Sequence, residues 1–373
     1  MAVTIRPVSG TAGTREFVKL QWKFYQGDHN WVPPLLMDRM KLLNVKKNPF
    51  FKHSDMQLFI AEDQGEAVGR IAAIINRNHN AVHGDKVGFF GFFEAINRQD
   101  VANALVDAAA AWLRAKGMDT MRGPMNPSVN DEIGMLVKGF DRPPVILMTY
   151  NPRYYPLLME GAGMKKAKDL LAYLLENERV ATEKLERGQQ LVRERYGVTV
   201  RDVDFKNIER EAVILKDLYN RSWEANWGAV AMTDEEFDFL AKDLTQVVGK
   251  FKDLVFILER HGEPVGFALC LPDLNQVLKH NGSGRLLPAL YHMLTGTRMI
   301  SFARIIVLGV IPQYRGKGFD SVMYWEVLQR AAKHNIYTAE ASWVLEDNVM
   351  MNRGAKMMNA EAYKTYRIYD LAI

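Results

Sequence analysis

Apolar residues recur along this chain with two periods, one of two residues and one close to 3.6 residues. Short apolar runs such as Met56–Ala61, Ala67–Ile75 and Val87–Ala95 have the length and composition of strands. Asp100–Lys116 instead places its apolar residues at helical spacing, and the following Gly117 is a residue that often ends a helix. Strands and helices therefore alternate, which predicts an α/β (α+β) fold.

The order of the predicted elements runs twice through the same plan. The first round includes a strand at Val145–Tyr150 and ends near Glu176. Glu178–Tyr196 is dense in charge and predicts an exposed connecting helix, after which an alternating strand begins the order again at Val198. We therefore expect two domains, residues 1–178 and 179–373, each a mixed, mainly antiparallel sheet flanked by helices.

A glycine-containing basic loop lies between a strand and a helix in the second half. The run Ile305–Val310 predicts a strand that is buried on both faces, and Pro312 ends its hydrogen-bonded ladder. Residues 313–318 then combine two glycines with Arg315 and Lys317, and an amphipathic helix follows. The unpaired N–H groups of a helix N-terminus, next to glycines and cations, predict an anion-binding site. The glycine spacing excludes a P-loop and a dinucleotide-binding fingerprint.

This loop resembles the pyrophosphate loop of the GNAT (GCN5-related N-acetyltransferase) superfamily, where V-x-P-x-Y-R-G-x-G ends the fourth strand. The residues that match are Val310, Pro312, Tyr314, Arg315, Gly316 and Gly318. The resemblance implies that acetyl-CoA or another acyl-CoA is the co-substrate and that no metal is needed. It implies a cofactor-binding set of Leu308, Gly309, Val310, Arg315, Gly316, Lys317, Gly318 and Asn348.

The match has two departures, and the first half has no equivalent loop. Asp320 occupies a position that is usually Gly or Ala, and Ala355 occupies the position of the family's catalytic tyrosine. The corresponding loop of the first half, Ile96–Val101, contains no glycine and cannot wrap a diphosphate in the same way. The first domain is therefore expected to be degenerate, and one acyl-CoA per chain is expected.

Direct transfer from a thioester to an amine needs an N–H for the oxyanion and a base for the amine proton. Leu308, Gly309 or Val310 on a splayed or bulged strand is the expected N–H donor. The candidate catalytic bases are Glu346, which precedes a predicted helix, and Asp273, with Glu340 as a further carboxylate. The expected substrate-binding residues are Trp227, Asn275 and Glu340. Asx turns are an equally simple role for Asp273 and Asn275, and core packing is the simpler role for Trp227.

Composition narrows the possible partners. A net charge of +4 among 92 charged residues is nearly balanced and does not indicate a nucleic-acid partner. Apolar runs fall short of the roughly 18 residues that a membrane span needs, so no membrane partner is expected. The N-terminal residues lack an apolar signal core, and the single cysteine, Cys270, cannot form an internal disulfide. We expect a cytoplasmic monomer or homodimer.

The sequence is therefore similar to tandem GNAT-like bacterial proteins with a degenerate N-terminal half. It predicts an acyl-CoA-dependent N-acyltransferase that transfers an acetyl group to an amine of a small molecule or peptide. The alternative is a non-catalytic acyl-CoA-binding sensor or scaffold, which the missing tyrosine and Asp320 favour. Tandem GNAT peptidyl transferases lack the pyrophosphate loop, so its presence argues against that activity.

Overall fold

The computed structural model describes residues 3–223 and 226–373. The first half of the chain contains these elements: β1 (Thr4–Val8), α1 (Gly10–Lys19), α2 (Gln21–Phe24), α3 (Leu36–Leu42), β2 (Ser54–Asp63), β3 (Glu66–Asn76), α4 (Arg77–His83), β4 (Val87–Ala95), α5 (Gln99–Ala115), β5 (Thr120–Gly123), β6 (Met125–Asn126), β7 (Glu132–Ile133), β8 (Met135–Lys138), α6 (Tyr155–Gly161) and β9 (Lys165–Glu176).

The second half restarts the order after two helices. Its elements are α7 (Asn177–Val180), α8 (Glu183–Tyr196), β10 (Val198–Asp202), α9 (Ile208–Trp223), α10 (Asp234–Val248), β11 (Val255–Arg260), β12 (Glu263–Pro272), α11 (Asn275–Leu278), α12 (Leu286–Gly296), β13 (Phe302–Val310), α13 (Phe319–Ala332), β14 (Thr338–Leu345), α14 (Val349–Met357) and β15 (Glu361–Ala372). The mixed α/β class and the repeated order of elements are confirmed.

The chain forms two compact units. The first contains Met1–Leu170, Val277–Thr295 and Lys364–Ile373, and the second contains Leu171–Gln276 and Gly296–Tyr363. This division differs from the predicted one at residue 178. The end of β9 belongs to the second unit, whereas the segment with α12 and the end of β15 belong to the first. The domain boundary itself stays a prediction from the sequence.

Each unit contains four successive antiparallel strands followed by one parallel pair. In the first unit β1, β2, β3 and β4 follow one another antiparallel, and β4 then pairs parallel with β5. In the second unit β10, β11, β12 and β13 are antiparallel, and β13 pairs parallel with β14. The equivalent strands, β4 and β13, therefore have the same environment in the two units.

The core of the first unit lies between its sheet and α5. This helix buries Val101, Leu105, Ala109 and Leu113 along one face, at the spacing expected for a helix packed on a sheet. Residues of β15 complete this unit, since Tyr369 lies opposite Gly123 of β5 and Arg367 lies opposite Met135 of β8.

The predicted strand at Val145–Tyr150 is wrong. Val145, Ile146 and Met148 are buried, but the segment is irregular and Leu147 has a φ of +58°. The apolar run reflects burial of a loop, whose carbonyls at Arg142 and Pro143 accept hydrogen bonds from the buried ammonium of Lys364. Periodicity does not distinguish a short buried strand from such a loop.

Candidate active site

A gap between two parallel strands forms the centre of the site. β13 pairs with β14 through Phe302–Ile305 and Thr338–Ala341, whereas the two strands continue to Val310 and Leu345. Beyond the paired residues the strands separate toward their carboxyl ends. Ligands of open α/β sheets bind at this edge.

The sequence predicts that Leu308, Gly309 or Val310 donates an N–H to the oxyanion, and these residues lie on the part of β13 that faces the gap. The register between β12 and β13 shifts at Ile306, and pairing with β12 then continues to Val310. Leu308, Gly309 and Val310 therefore lie beside the gap while β12 holds them from the other side. The structure contains the bulged and splayed strand that such a donor requires.

The loop at the open end of the gap owes its shape to two glycines. After a short 3₁₀ turn at Pro312–Tyr314, Gly316 and Gly318 adopt φ values of +70° and +85°. These left-handed conformations are costly for residues with a Cβ atom. Gly318 is the N-cap of α13, so the positive end of this helix adjoins the loop. α14 begins at the carboxyl end of β14 and brings a second helix N-terminus to the same edge.

Arg315 fastens the loop to its surroundings. Its Nε donates to the carbonyl oxygen of Val310 at 3.1 Å, and its Nη2 donates to the carbonyl oxygen of Ser222 at 2.7 Å. The side chain is otherwise at the surface. These bonds hold the loop against the end of α9, and contact with a diphosphate stays a prediction.

Aromatic and basic side chains surround the loop. Tyr314 stacks on Phe319 with ring centroids 5.1 Å apart. The ammonium of Lys317 lies 5.3 Å from the Tyr314 ring centroid, and the Arg260 guanidinium lies 5.5 Å from it. Arg260 also donates to the Tyr314 hydroxyl at 3.2 Å. With Arg315, these cations give the loop the charge that phosphate binding requires.

Asp320 is an exposed acid in the first turn of α13. Its charge suits the helix dipole but opposes a nearby diphosphate. Below it, burial raises the pKa of Tyr324, and the charge of Asp320 adds to that increase. Tyr324 therefore stays protonated at neutral pH.

A buried polar chain spans the point where β13 and β14 separate. Arg304 Nε donates to Ser342 Oγ at 3.0 Å, and Ser342 Oγ donates to Glu340 Oε1 at 2.5 Å. The hydroxyl of Tyr363, on β15, donates to the second oxygen of the same carboxylate. Arg304, Glu340 and Ser342 are buried, whereas Tyr363 is half-buried. Glu340 is thus a hydrogen-bond acceptor inside the unit, and Tyr363 is the member nearest to solvent.

This polar chain was not recognised from the sequence. Arg304 and Glu340 come together because they are register partners of parallel strands that are far apart in the sequence. The one sequence signal was a charged residue at the start of each of two apolar strands. A buried charge must be paired, so such residues indicate a partner without identifying it.

Glu346 and Asn348 lie where β14 leads into α14. Asn348 is the N-cap of α14, and its side chain accepts from the Met351 N–H at 3.2 Å. Glu346 is exposed, and its backbone carbonyl accepts from the Asn352 side chain at 3.0 Å. Both residues are at the edge of the sheet that carries the basic loop. Ala355, at the position of the family's tyrosine, is buried.

Asp273 and Asn275 lie at the opposite edge of the same sheet. The backbone N–H of Asp273 donates to Phe302, at the start of β13, and its carboxylate accepts from the Asn275 N–H at 3.2 Å. The length of β13, roughly 25 Å, separates them from the loop after Val310. The structure therefore does not bring Asp273 and Glu346 together. The pattern at Asp273 is an Asx turn.

Trp227 and Cys270 also belong to the second unit. Trp227 is half-buried in the connection between α9 and α10. Cys270 lies inside β12, and burial raises the pKa of its thiol to about 12. The thiol is therefore protonated and inert at neutral pH.

The corresponding gap in the first unit is filled by its own chain. β4 pairs with β5 only through Val87–Phe89, after which β6 lies against β4. The Phe92 N–H donates to Asn126 Oδ1 at 2.7 Å. A Cβ atom on Gly91 would lie 1.8 Å from the carbonyl oxygen of Met125. The position of the predicted thioester in the second unit is thus occupied by backbone here, which agrees with the glycine-free loop after β4.

The chain belongs to the GNAT acetyltransferase family. The family model described as "Acetyltransferase (GNAT) family" matches residues 213–353, which include the gap and the basic loop. The tandem GNAT arrangement is seen in a solved tandem GNAT protein from the clavulanic acid biosynthesis pathway. The structural match covers 99% of this chain and 98% of the chain of that protein, with a TM-score of 0.59 and 13% sequence identity.

Two curated relatives match over nearly the whole length. The bacterial ceramide synthase of Caulobacter vibrioides is 34% identical, and the match covers 100% of this chain and 98% of the relative. Protein YghO of Escherichia coli is 32% identical over 96% of this chain and 93% of the relative. The family and the names of relatives support acyl transfer as the general activity.

Membrane-spanning helices and metal-binding clusters can be assessed for residues 3–223 and 226–373. None of the helices there has both the length and the apolar character needed to cross a membrane. Nor does this part of the chain contain a cluster of three or more His, Cys, Asp or Glu side chains that could hold a metal ion.

Proposed function

We propose that the second unit transfers an acyl group from acyl-CoA to the amine of a long-chain amino alcohol, producing a ceramide-type amide. The observation that supports acyl-CoA use is the gap between β13 and β14, with the glycine loop and the α13 N-terminus at its open end. The name of the Caulobacter relative supports the choice of acceptor. The transfer of an acetyl group to an amine of a small molecule or peptide, in the cytoplasm, which the sequence predicts, uses the same chemistry with a different acyl group and acceptor, and it stays a proposal.

The mechanism follows from the groups beside the gap. The co-substrate supplies an acyl group activated as a thioester. An N–H of Leu308, Gly309 or Val310 stabilises the oxyanion as the amine attacks, the C–N bond forms and the C–S bond breaks. Glu346, at the same edge, is the candidate acceptor of the amine proton. The thiolate, with a pKa near 8 to 9, leaves unaided or takes a proton from Tyr363.

Purified protein provides the first test. It is incubated with acyl-CoAs of two to sixteen carbons and with amines that include ethanolamine, a diamine and a long-chain amino alcohol. Thiol release and the mass of the amide are both measured. We expect amide with the long-chain amine and little with ethanolamine. If amide formed from small amines alone, the proposed lipid acceptor would be wrong and the proposed acyltransferase activity would stand.

A non-catalytic acyl-CoA-binding protein is the second candidate. Ala355 in place of the family's tyrosine is the observation that favours it. Calorimetric binding of acyl-CoA, with no amide formed from any amine of the panel, would support this candidate.

Asp320→Ala is expected to tighten acyl-CoA binding. Removing one exposed negative charge near a diphosphate relieves a repulsion of about 1 kcal/mol, or roughly fivefold in affinity, and the gain shrinks at high salt. The same change lowers helix stability slightly. Calorimetric titration at two salt concentrations measures the effect.

Asp238→Ala is the matched control, since it removes an exposed acid from α10. Equal affinity for wild type and Asp320→Ala would show that Asp320 points away from the diphosphate.

A further inference from the structure

α12 exposes an apolar stripe to solvent. Leu287, Leu290, Tyr291 and Leu294 follow the i, i+3, i+4, i+7 spacing of one helix face, and their exposed fractions are 78%, 45%, 64% and 84%. The buried residue of the helix is Ala289. In a surface helix the apolar stripe normally faces the core. Here the stripe points outward, which marks it as an interaction surface.

The helix belongs to a connection that the sheet does not require. β12 and β13 are antiparallel neighbours, which a loop of about two to five residues can join. The chain instead takes the path from Asp273 to Ser301. The connection therefore adds α11 and α12, which are not needed to join the two strands.

The start of α12 is firmly attached to the first unit. Trp22 Nε1 donates to the carbonyl oxygen of Gly282 at 2.7 Å, and the Leu36 N–H donates to that of Gly284 at 2.9 Å. The Asn281 side chain donates to the carbonyl oxygen of Arg285 at 2.9 Å. These bonds hold residues 281–285, directly before α12, in place.

The segment of sequence that contains α12 carries charges of one sign. From Leu274 to Phe319 the sequence contains no Asp or Glu, although acids make up 44 of 373 residues. Lys279 and Arg285 precede the helix and are exposed, and Arg298 follows it in the sequence. An apolar helix face flanked by cations is the pattern of helices that lie in the interface of an anionic bilayer.

We propose that α12 docks the protein on an anionic lipid bilayer, with Leu287, Leu290, Tyr291 and Leu294 inserted at the level of the headgroups. A second copy of the chain fits the surface less well. A twofold interface would place Lys279 and Arg285 near their own copies, with no acid in the segment to pair with them. The expectation of no membrane partner was based on the lack of a spanning run, and surface binding needs none.

Flotation with lipid vesicles tests the proposal without any assay of acyl transfer. Wild type is mixed with vesicles of phosphatidylcholine alone or of phosphatidylcholine and phosphatidylglycerol in equal parts. We expect it to float with the anionic vesicles and much less with the neutral ones. Leu287→Glu with Leu294→Glu should reduce binding by roughly tenfold or more, since two large apolar side chains no longer insert.

The matched control is Leu157→Glu with Val82→Glu. These residues are 67% and 63% exposed on other helices of the first unit, and this variant should float like wild type. Lys279→Gln with Arg285→Gln should weaken binding to anionic vesicles specifically. Thermal unfolding of every variant verifies that the fold is retained.

A fluorescent label on α12 reports insertion directly. Cys270 is the one cysteine of the chain, and its thiol is buried in β12, so Leu294→Cys can be labelled selectively with an environment-sensitive dye. A blue shift on adding anionic vesicles is expected. A dye attached at Leu157→Cys should show no shift.

Three results would overturn the proposal. The first is the absence of flotation of wild type with anionic vesicles, and the second is equal flotation of the Leu287→Glu/Leu294→Glu variant. The third is a wild-type dimer in solution that this variant converts to monomer without any vesicle binding, which would make α12 an interface between copies. None of these results depends on whether the protein transfers acyl groups.

Discussion

Gly316→Trp is expected to abolish measurable binding of acyl-CoA in a calorimetric titration, while wild type binds one equivalent per chain. A Cβ atom on Gly316 would have no heavy atom of the described residues within 4 Å, so a large side chain would extend into the open space of the loop. That space is where the proposed diphosphate approaches the backbone. Loss of binding should be accompanied by loss of acyl transfer.

The control for backbone strain is Gly262→Trp in the turn between β11 and β12. Gly262 has a φ of +82° and Gly316 a φ of +70°, and both have open space around a Cβ atom. Both variants therefore place a tryptophan in the left-handed backbone conformation. We expect a similar loss of thermal stability in both and full binding in Gly262→Trp. Gly318 is less suitable, because a Cβ atom there would lie 3.0 Å from Val192 Cγ2 on α8 and disturb packing. Retention of binding by Gly316→Trp would place the diphosphate elsewhere.

Gly91→Ala is expected to destabilise the protein by about 3 kcal/mol or more, a large share of the stability of a typical domain. The added methyl group would lie 1.8 Å from the carbonyl oxygen of Met125 and 2.9 Å from Asn126 Oδ1. Backbone cannot move aside as a flexible side chain can, so β6 must leave the gap beside β4. Denaturant unfolding measures the change.

Gly188→Ala is the matched control, because this residue lies within α8 and a Cβ atom there would meet no described atom within 4 Å. Alanine should stabilise the helix by about 0.5 to 1 kcal/mol. If Gly91→Ala had wild-type stability, β6 would not fill the gap of the first unit as described.

The sequence predicted those features that depend on neighbouring residues. The strand, glycine loop and helix from Ile305 onward form one continuous stretch, so their residues could be compared directly with the pyrophosphate loop that they resemble. The outward orientation of α12 could not be predicted from local pattern, because an apolar stripe has the same spacing whether it faces the core or solvent.

Features built from distant residues could not be predicted in this way. The contact between Tyr363 and Glu340 depends on which strands become neighbours, and so does the pairing of Tyr369 with Gly123. Likewise, the occupation of the first gap by Met125 and Asn126 depends on a loop that follows β5. The sequence showed that the first half lacks glycine after β4, but not what replaces the ligand there.

The place of β15 determines when the protein can fold during its synthesis. Arg122 on β5 forms a bidentate ion pair with Asp370 at 2.8 Å, and Tyr369 lies opposite Gly123. Residues 364–373 thus belong to a unit whose other strands lie within Met1–Leu170, before the whole of the second unit in the sequence. That unit cannot close its sheet on the ribosome until the second unit has emerged. The two halves are therefore expected to fold together rather than one by one, and cutting the gene between them would leave the first sheet unfinished.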